Sequence, residues 1–234
     1  MQTFSITCII SVLWFMMGYS LAFSVGSPFI GGSSRFWLIG GNDSGNQKST
    51  SRIGVGTKHP LNCTIPETVF MMFQCTFAVI TAAIVCGSFA ERMKFQCMVI
   101  FIVVWHFLVY CVVAHWEWAP GGFLFDAGAL DYAGGDVVHI CAGMSGLAAS
   151  IVVGPRQGFG VKDLKPHNVL YTMIGGSMLW VGWFGFNAGS AGAAAGAAGF
   201  AMMTTQIASG TCGVAWMLIE WVHRGHPSVL GIVR

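Results

Sequence analysis

Two acids and a histidine lie close together in the middle of this chain. Asp131, Asp136 and His139 fall within GALDYAGGDVVHICAG, and residues 137–153 are apolar enough to form a membrane helix. An ionisable side chain at membrane depth is costly, so its presence there indicates a functional site. We therefore expect His139 to face the protein interior or a pore. The alternative is a packed histidine that hydrogen-bonds a backbone carbonyl.

The composition indicates an all-α integral membrane protein. Of 234 residues, 55% are hydrophobic and only 9% are charged, whereas soluble domains carry roughly 25% charged residues. The net charge of +2 and the lack of a basic cluster argue against nucleic-acid binding. Seven of the eight cysteines lie in apolar runs, and no spacing is typical of zinc ligands. We predict no metal and no cofactor.

Six apolar stretches are long enough to be membrane helices, which need about 20 residues. They lie at residues 6–23, 69–90, 95–114, 137–153, 169–189 and 198–222. The polar loop 26–66 contains two glycosylation sequons, at Asn42 and Asn62, usable only if the loop faces outward in a secretory pathway.

Basic residues predict the orientation of these stretches. The loops after the second, fourth and sixth stretch hold Arg92, Lys94, Arg156, Lys162, Lys165 and Arg224. These loops are therefore expected on the cytoplasmic side, and the N-terminus with them. The sequon loop, residues 115–135 and residues 190–199 are then expected outside.

Aromatic and hydroxyl side chains lie near the predicted outer ends of the helices. Phe73 and Phe77 are four residues apart and share a helix face, as do Phe186 and Ser190. Trp118 follows in the outer segment. Single aromatics at a membrane boundary are usually anchors. Taken together, they offer ring faces that attract a small cation and, in Ser190, a hydroxyl acceptor.

Several longer runs appear in one order along the chain. They are MGYSLAFS (17–24), TIPETVFMMFQCTFAVIT (64–81), GALDYAGGDVVHICAG (128–143), KPHN (165–168), LWVGWFGFNAGSAG (179–192) and EWVHRGHPSVLG (220–231). Together they resemble the ammonium transporter family (Amt/Mep/Rh), most closely its Amt branch. The resemblance implies ammonium or ammonia transport by a multi-pass protein of the cell membrane, not an enzyme.

The resemblance also assigns roles to individual residues. Trp118 and Ser190 resemble the outer site that recruits ammonium, and Phe73 an aromatic lining it. Phe77 and Phe186 resemble the stacked pair that closes the pore. His139 resembles the first of two pore histidines, and Asp131 the buried acid that supports the recruitment region. Asp136 departs from the family, where threonine or serine is common, and its role stays open.

The family fold implied here is an eleven-span bundle built as an inverted repeat, of which this chain resembles spans two to seven. The second pore histidine lies on a later span. A homotrimer is implied for the full-length form, with a possible cytoplasmic regulatory protein. We expect residues 1–234 by themselves not to transport ammonium.

Three alternatives remain at this point. The first is a non-conducting ammonium sensor or regulatory subunit. The second is a membrane enzyme that uses His139 with Asp131 or Asp136 as an acid–base group, or with His106 as a metal ligand. The third is a fragment without an activity of its own.

Overall fold

The computed structural model describes residues 1–38, 65, 67–162 and 165–233. The sequon asparagines, Asn42 and Asn62, lie outside the described residues. The chain folds as two units, Met1–Gln157 and Gly158–Arg234, which we describe separately.

Helices make up nearly all of the regular structure. The first unit contains α1 (Gln2–Phe23), α2 (Glu67–Cys86), α3 (residues 95–118), the short α4 (Phe123–Ala127) and α5 (Gly135–Val153). The second contains α6 (Val169–Gly189), α7 (Gly196–Arg224) and the short α8 (Val229–Val233). The predicted all-α fold class is confirmed.

Five helical stretches of the described chain are long and apolar enough to cross a membrane: Gln2–Phe23, Glu67–Cys86, Phe95–Ala127, Gly135–Val153 and Val169–Gly189. Each overlaps a stretch predicted from the sequence. The sixth predicted stretch, 198–222, lies within α7, which is not among the five. Helix α7 carries polar residues such as Gln206 and Glu220 along its length.

Helix α3 continues four residues beyond its predicted end at residue 114 and reaches Trp118. It ends because Ala119 adopts an extended conformation and is followed by Pro120, whose ring disfavours helical geometry in the preceding residue. Trp118 therefore lies on a helix end instead of in the predicted outer loop. This rigid position matters for the site described below.

One face of α1 is buried, and the spacing between the buried residues changes along the helix. Ile6, Ile10 and Trp14 are four residues apart, Tyr19 follows after five, and Phe23 after four more. A π-helical turn at Trp14–Gly18 takes up the extra residue, since such a turn holds one residue more than an α-helical turn. All five side chains thus stay on the face that packs against α2 and α3.

Trp14 is the centre of the first unit's aromatic core. Its ring centroid lies 5.9 Å from that of Tyr19 and 6.2 Å from those of Phe23, His106 and Tyr110. The indole Nε1 donates to the backbone oxygen of Met71 at 3.1 Å. This hydrogen bond satisfies the one polar atom of the ring, so the whole side chain can be buried without an unpaired donor.

The second unit is a helical hairpin joined by polar side chains. Trp180 Nε1 in α6 donates to Gln206 Oε1 in α7, and Asn187 Nδ2 donates to Thr205 Oγ1, each at 2.9 Å. The Glu220 carboxylate accepts from Ser228 N at 2.8 Å, which fixes the turn into α8. Hydrogen bonds of this kind hold helices together in lipid, where the hydrophobic effect does not.

We predict that Gly18→Ala destabilises the first unit. A Cβ atom at Gly18 would lie 2.5 Å from Nε2 of the buried His106, and overpacking of this kind costs about 1–3 kcal/mol. Thermal unfolding of the purified protein in detergent measures the effect. Gly143→Ala is the matched control, because nothing lies within 4 Å of its added methyl group. Equal unfolding temperatures for the two variants would contradict the prediction.

Candidate functional site

The carboxylate of Asp131 organises the start of α5. Its Oδ1 accepts from the backbone N–H groups of Gly134 at 2.6 Å and Gly135 at 2.8 Å. Its Oδ2 accepts from those of Asp136 and Val137, each at 2.9 Å. The first N–H groups of a helix have no partner within the helix, and a negative charge there is favoured by the helix dipole. The Asp131 carboxylate gives these N–H groups an acceptor and also places a negative charge at the helix start.

The turn between Asp131 and α5 depends on Gly134. Its φ angle of +92° is one that other residues rarely adopt, and an added Cβ would lie 2.5 Å from Val138 Cγ2. The same Cβ would lie 3.5 Å from the Phe77 ring. The turn thus brings the acid-capped helix start against α2.

Three aromatic side chains meet beside this turn. The Phe73 and Phe77 rings, both on α2, have centroids 4.9 Å apart, and the Phe77 and Trp118 centroids are 5.3 Å apart, both edge-to-face. Trp118 Nε1 donates to the backbone oxygen of Asp131 at 3.0 Å. The structure therefore joins four residues singled out from the sequence, Phe73, Phe77, Trp118 and Asp131, into one cluster.

Trp116 has different surroundings although it is only two residues away from Trp118. Its Nε1 donates to Phe29 O at 2.8 Å, and its ring lies 5.0 Å from that of Phe123. The two tryptophans thus belong to different clusters. Trp116 is a matched comparison for any role assigned to Trp118.

Asp136 and His139 both lie in the π-helical turn Gly135–Ile140 that begins α5. The carboxylate of Asp136 is half-buried and the imidazole of His139 is exposed in this structure. Neither side chain forms a hydrogen bond to a described residue.

Phe186 and Ser190 lie at the end of α6, in the second unit. Ser190 is buried, and its Oγ donates to the backbone oxygen of Phe186 at 2.8 Å. Because the hydroxyl hydrogen is committed, the lone pairs of Oγ remain to accept from another donor. This matches the acceptor role suggested for Ser190 by its residue type.

Sequence reasoning missed Glu117, which lies between the two tryptophans. It is 3% exposed, and neither carboxylate oxygen has a hydrogen-bond partner among the described residues. The sequence signal was an acid flanked by tryptophans in HWEW, next to a predicted membrane stretch. An acid beside a membrane stretch is costly, so the argument that makes Asp131 a candidate site residue applies equally to Glu117.

The described residues contain no group of three or more histidine, cysteine, aspartate or glutamate side chains that could hold a metal ion. His106, considered above as a metal ligand, is fully buried in the core, with its Nε2 3.6 Å from Cys111 Sγ and its ring stacked on Tyr110. It is a core residue of the first unit.

Comparisons with known proteins show the family of this chain. The profile of the Ammonium Transporter Family matches residues 1–234. An ammonium transporter of Bacillus subtilis is 44% identical over 234 residues, which are 100% of this chain and 54% of that protein. The chain spans about half the length of the curated relatives it matches.

Solved structures of related proteins have the same fold. The crystal structure of Candida albicans Mep2 superposes with a TM-score of 0.84 at 34% identity, over 98% of this chain and 49% of that one. A structure described as a sensor Amt protein superposes with a TM-score of 0.82 at 27% identity, over 99% and 56%.

The apolar helices and their buried polar cluster define a multi-pass α-helical membrane protein. Within that class the chain belongs to the Ammonium Transporter Family. The resemblance described from the sequence motifs is confirmed, and the family is one of transporters, not of enzymes.

We predict that Asp131→Ala destabilises the first unit strongly. Four backbone N–H groups lose their acceptor, and each buried donor left unpaired costs about 1–3 kcal/mol. Yield and thermal stability of the detergent-purified protein measure this loss. Asp126→Asn, an exposed acid five residues earlier, is the control and is expected to change stability by less than about 0.5 kcal/mol. Similar stability of the two variants would exclude the capping role.

Proposed function

We propose that this protein transports ammonium and that residues 1–234 carry the outer recruitment site and the first part of the pore. The observation that carries the proposal is the cluster of Phe73, Phe77 and Trp118 beside the capped start of α5. The names of its relatives, ammonium transporters of bacteria, support the substrate.

In this proposal, aromatic faces bind the ammonium ion at the entrance. A cation over a ring gains about 0.5–2 kcal/mol, enough to hold a hydrated ion but far too little to replace its whole hydration shell in an apolar pore. Trp118 and Phe73 supply the rings. The family resemblance assigns Ser190, in the second unit, as a hydroxyl acceptor for an N–H of the ion; its Oγ donates its own hydrogen to Phe186 O.

Asp131 supports this site without being a ligand. All four of its hydrogen bonds go to backbone N–H groups, so its carboxylate is engaged. Its charge still contributes a negative potential near Trp118, whose indole it positions through the Asp131 carbonyl. The acid thus favours a cation nearby while its own oxygens stay committed to the helix.

The next step in the proposed mechanism is deprotonation. Ammonia is uncharged and crosses an apolar passage at much lower cost than the ion. The family resemblance assigns the pore gate to Phe77 of the first unit and Phe186 of the second. His139 lines the pore and relays a proton through its two ring nitrogens, and no described residue engages its side chain.

A homotrimer and a cytoplasmic regulatory protein belong to the same proposal and rest on the family resemblance. The second candidate function is a sensor that binds ammonium without conducting it. The observation that favours it is the likeness to a protein described as a sensor Amt. The same recruitment residues serve both functions, so only a flux measurement separates them.

Growth rescue tests the transport proposal. The full native reading frame is expressed in cells that lack their own ammonium transporters and grow on low ammonium as sole nitrogen source. We expect rescue, which His139→Ala reduces or alters in selectivity while the protein still inserts in the membrane. Residues 1–234 expressed alone form a parallel arm, in which we expect no growth.

A full-length protein that binds ammonium without supporting growth or uptake would favour the sensor over the transporter. If the His139→Ala variant transports ammonium with unaltered rate and selectivity, the assignment of His139 to the pore is wrong.

Trp118→Leu is expected to weaken apparent methylammonium affinity several-fold, since loss of one cation–π contact of about 1 kcal/mol corresponds to roughly fivefold. Trp116→Leu is the matched control: it removes an equal ring that lies against Phe29 and Phe123 instead. Uptake of labelled methylammonium over a concentration series gives both values. Equal effects from the two variants would refute the assignment of Trp118.

A further inference from the structure

Glu117, in the last turn of α3, is a buried acid whose side chain lacks a hydrogen-bond donor. The residue is 3% exposed, and neither carboxylate oxygen has a partner among the described residues. Buried acceptors are normally paired, because an acceptor that leaves water without gaining a donor is costly. A buried acceptor without a donor in a folded protein therefore indicates an ion or a ligand that supplies one.

Asp136 is a second acid without a side-chain partner, and it lies close to Glu117. The last turns of α3 pack against the π-helical turn Gly135–Ile140, which contains Asp136. The charge of Asp136 acts on the Glu117 carboxylate more strongly than the charge of Asp131 does. Asp136 is half-buried, so part of it is accessible. The salt bridges in the described part of the chain involve other acids, Glu67 and Glu220.

Asp131, the third acid at this junction, does not need a cation. Four backbone N–H groups occupy its two oxygens, and its charge meets the positive pole of the α5 dipole. Glu117 and Asp136 have no such counterpart among the residues that the structure describes. Two neighbouring carboxylates repel each other, and a cation bound by both removes that repulsion.

The number of acids favours a small monovalent cation over a divalent metal ion. The described residues contain no group of three or more histidine, cysteine, aspartate or glutamate side chains that could hold a metal ion, whereas calcium takes about six to eight oxygen ligands. A single positive charge needs less compensation. Ammonium would also bring N–H donors for the unpaired oxygens of Glu117, and potassium would bring charge alone.

We propose that Glu117 and Asp136 together bind a small monovalent cation at the junction of α3 and α5. Trp118 follows Glu117 directly, and its indole donates to the backbone oxygen of Asp131, so this acid pair lies beside the aromatic cluster. The two carboxylates are the ligands, while Asp131 keeps the start of α5 in place. The inference rests on the proposed function only for ammonium as the ion that is bound in cells.

Thermal unfolding of the full-length protein in detergent tests the site without relying on transport. Ammonium, potassium and choline chlorides are compared at equal concentration, since choline is too large for such a site and controls for screening by salt. A ligand that binds only the folded state raises the unfolding temperature. Relative to choline, we expect ammonium to raise that temperature by about 2 °C or more. An equal rise with potassium assigns recognition to charge and size, and a rise with ammonium alone assigns it to N–H donation.

Two variants of equal shape locate the effect. Glu117→Gln and Asp136→Asn each replace a carboxylate by an amide, and each is expected to lose about half of the cation-specific rise or more. Asp126→Asn changes an exposed acid outside the pair and is expected to keep the rise. Unfolding in choline shows that each variant is folded. An unchanged rise in both variants, or a wild-type protein that responds equally to all three salts, would overturn the proposal.

Uptake of labelled methylammonium by the same full-length protein separates this inference from the transport proposal. A protein that shows the cation-specific rise but no uptake has the acid-pair site and is not a transporter. A protein that takes up methylammonium but shows no cation-specific rise is a transporter without the acid-pair site.

Discussion

The first unit depends on one carboxylate that replaces four missing hydrogen-bond partners. The first N–H groups of a helix have no partner within the helix, and those that are buried are costly if left unpaired. Asp131 satisfies four of them from a single side chain. The same arrangement fixes the Asp131 carbonyl that receives the indole of Trp118. Asp131 therefore fixes both the start of α5 and the position of the Trp118 indole in the aromatic cluster.

In the proposed function, this coupling lets Asp131 support a cation site without touching the cation. An ion that met the carboxylate directly would compete with the backbone for its oxygens and loosen α5. Because the backbone holds the carboxylate, the proposal leaves the ring faces of Phe73 and Trp118 as the weak, reversible contacts for the ion. Tight binding by a free carboxylate would slow release, as in any conduction pathway.

The family, the fold class and the order of the helices were predictable from the sequence, because apolar length and specific motifs such as WFGFNAGSAG and ALDYAGG are local properties of the chain. The residues of the aromatic cluster were also singled out in advance. Their roles in transport stay predictions, since no structural observation here measures ammonium.

What could not be predicted depends on contacts between distant parts of the chain. The HWEW run marks Glu117 as an acid beside a membrane stretch, but the sequence does not show that its carboxylate is buried without a donor among the described residues. The two ring nitrogens of His115 lie close to backbone oxygens that are 93 and 88 residues away in the sequence, those of Ala22 and Ser27. The end of α3 differs from its prediction because of local chemistry. The helix continues to Trp118 and ends where the backbone becomes extended at Ala119, before Pro120.

Three π-helical turns in the part of the chain that the structure describes, at Trp14–Gly18, His106–Tyr110 and Gly135–Ile140, have an evolutionary consequence. Each is the mark that a single inserted codon would leave in a helix. Removing one residue from Trp14–Gly18 would leave four-residue spacing from Trp14 to Tyr19, so an ordinary α-helix would keep Tyr19 and Phe23 on the buried face. A deletion in a regular turn of the same helix would instead rotate everything beyond it by about 100°. Single-codon deletions in these three turns should therefore be tolerated better than deletions elsewhere in the same helices.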